Sequence, residues 1–218
     1  MAKGLFITFE GTEGCGKSTQ IKLLAEHLQA IGHRVRMLRE PGGTPIGEEI
    51  RHTLKHSEQN HAMTAEAELL LMNASRAQIV REVIRPALAA GEMVLCDRFY
   101  DSTTAYQGYG RELDLDKVKS IIEFAIGGTK PDLTLFLRVS AEVSAERLRS
   151  RQSTLPFVRD RIEEADRKFF ERVGHGYDVI AANEPERVKF INGAQPVDAV
   201  CRTIWEVVQP RLPKVGRW

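Results

Sequence analysis

Apolar residues fall along this chain in two rhythms. Short apolar runs occupy residues 5–10, 35–39, 93–97, 133–139 and 188–191. Each has the length of a strand. Between them lie longer stretches with apolar positions three and four apart. Residues 17–31 set Ile21, Leu24, Ala25 and Leu28 at helical spacing, and Gly32 stops that helix. Helices are also predicted over 47–55, 65–90, 114–126, 141–151, 161–182 and 197–208. Pro86 breaks or kinks the 65–90 segment, because it offers no N–H and crowds the carbonyl four residues back.

The remaining segments read as connections. Pro41-Gly42-Gly43 is a turn, and the polar residues 57–63 form a loop. Residues 152–158 hold Pro156 and no helical period, so they are expected to be a mobile connector. Strands separated by helices require crossovers, hence a parallel sheet covered on both faces. No internal repeat or low-complexity tract interrupts the pattern.

Composition narrows the class. The 218 residues, 42% hydrophobic, suffice for one core, so one domain over 1–218 is expected. Basic and acidic residues number 31 and 30, a net charge of +1. Binding to nucleic acid or to an anionic membrane normally needs a basic excess, so neither is expected. No run approaches the roughly 18 apolar residues of a membrane span. The start lacks the long apolar stretch of a signal peptide. Cys15, Cys96 and Cys201 are odd in number and widely spaced, which reads as free thiols in the cytoplasm.

The first strand runs into Gly11-Thr12-Glu13-Gly14-Cys15-Gly16-Lys17-Ser18, a full G-x-x-x-x-G-K-[ST] motif followed by an amphipathic helix. Glycines let the backbone curl around phosphate oxygens, and the helix start favours anions. Lys17 is placed for the β- and γ-phosphates of ATP, and the Ser18 hydroxyl for Mg²⁺. The expected fold is α/β: a three-layer P-loop fold with a five-stranded parallel sheet, helices on both faces and a mobile lid at about 147–160. The motif alone leaves an ATPase, a GTPase switch and a small-molecule kinase open. No Asn-Lys-x-Asp signal for guanine follows.

Two further features bear on that choice. Asp97 and Arg98 end the 93–97 strand beside Phe99, Tyr100 and Tyr106. The carboxyl end of a strand is where open α/β sheets bind ligands. Arg147, Arg149 and Arg151 alternate before the connector. Alternate residues do not share one helix face, so one or two reach a nucleotide and the rest are solvated.

Five segments in order carry a resemblance to the bacterial thymidylate kinase family of nucleoside monophosphate kinases. They are Phe9 to Thr19, Arg39-Glu40-Pro41-Gly42-Gly43-Thr44, Ala74-Ser75-Arg76-Ala77-Gln78, Asp97 to Gly108, and the weaker Asp160-Arg161-Ile162-Glu163. The resemblance implies transfer of the ATP γ-phosphoryl to dTMP, with Mg²⁺ held by Ser18 and Asp97. It implies that Gly11, Thr12, Glu13, Gly14, Cys15, Gly16, Lys17, Ser18 and Thr19 bind ATP, with Arg151 as the foremost lid arginine and Arg147 and Arg149 behind it. Catalysis would fall to Lys17, Glu13, Arg98 and Arg151.

For dTMP it implies Glu13 on the sugar 3′-hydroxyl and Arg98 and Arg51 on the 5′-phosphate. Arg76, Thr103 and Gln107 would face the base, Tyr106 the 2′ position, and Glu40 would order the Pro41 turn. Family members are typically homodimers, with residues 65–90 available as an interface. Two departures stand out. Met72 occupies a position where the family commonly stacks an aromatic on thymine, and residues 152–159 exceed the usual lid length. Rival readings are a kinase with another acceptor, against which Arg76 and Thr103 to Gln107 argue, and a nucleotide-binding protein without turnover.

Overall fold

The protein is described by a computed structural model covering residues 4–57, 59–152 and 166–213, with the side chains of 151 and 152 excepted. Strands β1 (Phe6–Glu10), β2 (Val35–Arg39), β3 (Met93–Asp97), β4 (Leu133–Arg138) and β5 (Val188–Asn192) pair in parallel in the order β2-β3-β1-β4-β5. Every residue of β1 is buried, as a central strand covered on both faces must be. The register pairs Asp97 with both Phe9 and Arg39. The carboxyl ends of β1, β2 and β3 therefore meet at one edge.

The two faces of β1 alternate. Ile7 and Phe9 pack under α1 (Lys17–Ala30) and α9 (Val197–Val208), against Ile21, Leu24, Leu28, Val200 and Ile204. Phe6 faces the opposite layer, where Ile79, Ile84, Val118 and Ile122 close over it. Burying such side chains contributes about 1.5–3 kcal/mol each. That second layer holds α3 (Ala65–Ile79) and α6 (Leu115–Ile126). α2 (Pro45–Lys55) packs on α3. Thr44 caps α2 by accepting the Gly47 N–H at 3.0 Å, with Pro45 in the first turn.

The 65–90 segment departs from a regular α-helix before its proline. α3 passes through a π turn (Val80–Ile84) into α4 (Arg85–Ala89). The widened turn contains Glu82, the residue whose carbonyl the Pro86 ring would otherwise meet. A short helix α5 (Tyr100–Thr103) and a second π turn (Thr104–Gly110) follow β3, and no apolar period announces them. α7 (Ala141–Gln152) follows β4. α8 (Arg167–Asn183) is capped by Asp166, which accepts the Phe169 N–H at 2.7 Å. The connector beyond Gln152 and residues 161–165 lie outside the described residues, as does most of the expected lid. Among the described residues no helix is long and apolar enough to cross a membrane.

Candidate active site

After Glu10 the chain must turn at once into α1, and Gly11 makes this possible. Its φ is 134°, and a Cβ there would lie 2.2 Å from the Leu137 carbonyl oxygen. Gly16, at φ 102°, precedes α1 without a side-chain cap. The first-turn N–H groups of α1 are thus left to an anion. The Lys17 ammonium curls back over the loop, donating to the carbonyls of Gly11 and Thr12 at 3.0 Å each. Burial and Arg98 oppose its charge, yet Cys15, Glu13 and Asp97 leave its pKa above the usual lysine range. Ser18 donates to the Asp97 carboxylate at 3.1 Å, so a hydroxyl and a carboxylate from two elements converge.

Arg98 stands where β3 ends. Its φ of 70° is unusual for a side-chain-bearing residue and marks a strained corner. The guanidinium donates to Glu13 at 2.8 Å, to Ser102 at 3.0 Å and to the Tyr106 hydroxyl at 3.3 Å. Burial works against ionisation of Glu13, but Arg98 and Lys17 outweigh it and hold that carboxyl well below its usual range. Beneath Arg98 lies Glu10. It accepts from the Phe99 N–H at 2.8 Å, from Ser102 at 2.5 Å and from Tyr177 at 2.8 Å. Burial, reinforced by Asp101, raises the Glu10 carboxyl.

A second Arg–Glu pair is made from α3 and the turn after β2. Arg76 donates to Glu40 at 2.8 Å, to the Asn73 amide oxygen at 3.0 Å and to the Phe99 carbonyl at 3.3 Å. Burial pushes the Glu40 carboxyl up to about 7, against the pull of Arg76. Glu40 precedes a cis bond to Pro41, whose carbonyl accepts from Arg51 at 2.9 Å.

All of this opens into one cleft of about 640 Å³. Lys17, Ser18, Glu13, Asp97 and Arg98 line it, as do Gly14, Cys15, Gly16 and Thr19. So do Glu40, Pro41, Arg51, Met72, Arg76, Thr103, Tyr106 and Gln107. Gly11 and Thr12 are not among its lining residues; their carbonyls hold the Lys17 ammonium. Of the three lid arginines, Arg147 lines the cleft and donates to the Gly14 carbonyl at 3.3 Å. Arg149 is exposed and points elsewhere, as alternation on a helix requires. The Arg151 side chain lies outside the described residues.

The thymidylate kinase family model matches residues 9–204. The chain belongs to the thymidylate kinase family. A thymidylate kinase from Synechococcus sp. (strain JA-3-3Ab) is 46% identical over 209 residues, 95% of this chain and 97% of that protein. One from Geobacter sulfurreducens is 46% identical over 215 residues, 97% and 99% of the two chains. The crystal structure of thymidylate kinase from Ehrlichia chaffeensis matches with a TM-score of 0.76 at 32% identity, over 95% of this chain and 99% of that one. The parallel α/β sheet and the kinase class read from the sequence are those of the family.

Several residues of this thymidylate kinase site escape sequence reasoning. Glu10, Ser102 and Tyr177 brace Arg98 from three separate elements. Asn73 braces Arg76, and Glu68, buried on α3, accepts from Gln107 at 2.8 Å. A signal for the last existed: Glu68, Met72 and Arg76 recur every four residues, a polar-ended stripe on one helix face.

Proposed function

We propose that the cleft seats ATP on the loop of residues 11–18 and dTMP between Arg98 and Arg76. The enzyme then moves the γ-phosphoryl in line onto an oxygen of the dTMP 5′-phosphate. A bond forms between that oxygen and the γ-phosphorus, the bond to the β-phosphate oxygen breaks, and ADP and dTDP leave. The observation that carries this reading is the convergence of Lys17, Arg98, the Ser18–Asp97 pair and the Arg76 slot in one cleft.

The acceptor is already an anion, so no covalent intermediate and no strong base are needed. Catalysis lies in bringing two anions together and stabilising the charge of the transition state. Backbone N–H groups of the loop and Lys17 bind the β- and γ-phosphates. Arg98 and Arg51 hold the acceptor phosphate, to which a planar guanidinium fork is matched. Glu13, fixed by Arg98, accepts from the sugar 3′-hydroxyl, and Tyr106 crowds the 2′ position. Arg76, Thr103, Gln107 and Met72 form the base slot. Arg147 supplies charge on the ATP side, with Arg151 a second source.

Ser18 and Asp97 are hard oxygen donors of the kind Mg²⁺ takes beside water and phosphate, so these residues would hold it. When bound, it neutralises charge on the β- and γ-phosphates. The exposed Leu70 on α3 and Phe124 on the neighbouring α6 support a homodimer through these helices. The free thiols Cys15, Cys96 and Cys201 fit a cytoplasmic setting.

The test is ADP release measured across a panel of nucleoside monophosphates. Turnover should be highest with dTMP, and Lys17→Ala should lower kcat by about 10³-fold or more. Near-wild-type kcat in that variant rejects the loop as the site of transfer.

A further inference from the structure

Gln107 carries an amide with a donor end and an acceptor end, and the base it faces depends on which end points into the cleft. Glu68 decides this. It is buried on α3, and its carboxylate is clasped by Arg111, with a donor–acceptor distance of 3.0 Å. Arg111 is itself stacked over Phe169 of α8, 4.9 Å from the ring centre. A carboxylate so paired only accepts hydrogen bonds. The Gln107 NH₂ donates to it at 2.8 Å, so the amide oxygen is turned the other way, toward the cleft that Gln107 lines.

Arg76 supplies the complementary half. Three of its five N–H groups are committed to Glu40, Asn73 and Phe99, which leaves two. The slot thus presents an acceptor from Gln107 and a donor from Arg76. We propose that Glu68 is a positioning residue for base choice. By locking the Gln107 amide, it admits a pyrimidine that carries hydrogen on N3 beside a carbonyl, as thymine does, and rejects cytosine. Cytosine presents an acceptor at N3 and an amino group beside it, so acceptor would meet acceptor and donor would meet donor. Such a buried mismatch costs far more than a missing methyl contact.

This rests on dTMP being the acceptor, but it is tested by binding, which does not require turnover. Calorimetric Kd values for dTMP and dCMP are measured on the wild-type enzyme, Glu68→Gln and Glu68→Asp. The wild-type protein should prefer dTMP by about 100-fold or more. In Glu68→Gln the partner amide accepts either orientation of Gln107, and the preference should fall at least tenfold, mostly through tighter dCMP binding. Glu68→Asp keeps the negative charge but draws back by one methylene the oxygen that Gln107 and Arg111 share, and should lower the preference in the same direction. A merely structural Glu68 would weaken both nucleotides equally. An unchanged ratio in either folded variant overturns the proposal, and so does equal wild-type affinity for the two nucleotides, even where ADP release with dTMP is robust. Selective dTMP binding without ADP release sinks the transfer reading and leaves this one standing.

Discussion

Two Arg–Glu pairs with the same 2.8 Å separation sit in one cleft and behave oppositely. In Arg76–Glu40 both side chains are 2% exposed, whereas in Arg98–Glu13 they are 16% and 34% exposed. Burial dominates the first pair and pushes Glu40 up to about 7. Arg98 and Lys17 dominate the second and hold Glu13 well below its usual range. A buried pair fixes a shape at a cost in desolvation, and a half-exposed pair keeps its charge available to a ligand. On the proposed function, the first pair serves architecture and recognition, and the second the reaction.

Breaking each pair from its arginine side separates these roles. Arg76→Ala should have the largest effect. It strands a buried carboxyl whose Oε1 already lacks a partner among the described residues, and stability should fall by about 3–5 kcal/mol in urea unfolding. Glu40 escapes part of that penalty by taking a proton, so the loss should be larger at pH 8 than at pH 6. A loss below about 1 kcal/mol at both pH values would make the buried pair dispensable. Arg98→Ala should instead lower kcat by about 10²–10³-fold, the scale of one lost charge-stabilising donor. Its stability cost should stay below that of Arg76→Ala, because water reaches Glu13. If the two variants exchange these signatures, the division of labour is wrong.

The glycine loop and the strand end that meet in the cleft were legible in the sequence because each is local. Gly11 to Ser18 is one uninterrupted motif, and Asp97-Arg98 closes an apolar run. The sheet was legible for a similar reason, since each strand is a short apolar block between helical stretches. The partners were not legible. Glu10 meets Ser102 and Tyr177 across 92 and 167 residues. No single-chain pattern encodes such distances. The Tyr100–Gly110 helical segment was missed because its residues serve the cleft rather than an apolar stripe: Thr103, Tyr106 and Gln107 all line it. The irregularity expected at Pro86 is a π turn at Val80–Ile84, on the N-terminal side where the ring presses, and the chain stays helical through it.

The next effect is a pH dependence. Glu40 has its pKa raised from 4.5 to about 7 by burial. Between those values the native protein holds a proton that the unfolded chain has released, so stability contributed by this site falls as pH rises through the window. Glu40→Gln removes the titrating group. It should flatten the stability profile between about pH 4.5 and 7 by roughly 3 kcal/mol relative to the wild-type enzyme. Parallel profiles would show that Arg76 keeps Glu40 ionised throughout, making the buried pair electrostatically like the exposed one.

The smallest expected effect tests how each end of the cleft is built. The end proposed to seat phosphate is backbone, and Gly11 cannot accept even a methyl group, since a Cβ there would sit 2.2 Å from the Leu137 carbonyl oxygen. The end proposed to seat the base is side chains, so one substitution can tune it. Met72 is half-buried, lines the cleft and stands four residues before Arg76 on the same face of α3. Replacing this flexible thioether by a flat ring should add an offset stack against the base, worth about 0.5–1.5 kcal/mol. Met72→Phe should then lower KM for dTMP by about two- to tenfold, with KM for ATP unchanged. A higher KM for dTMP together with lost stability would identify Met72 as packing for α3. The base end would then be as intolerant of change as the loop beside it.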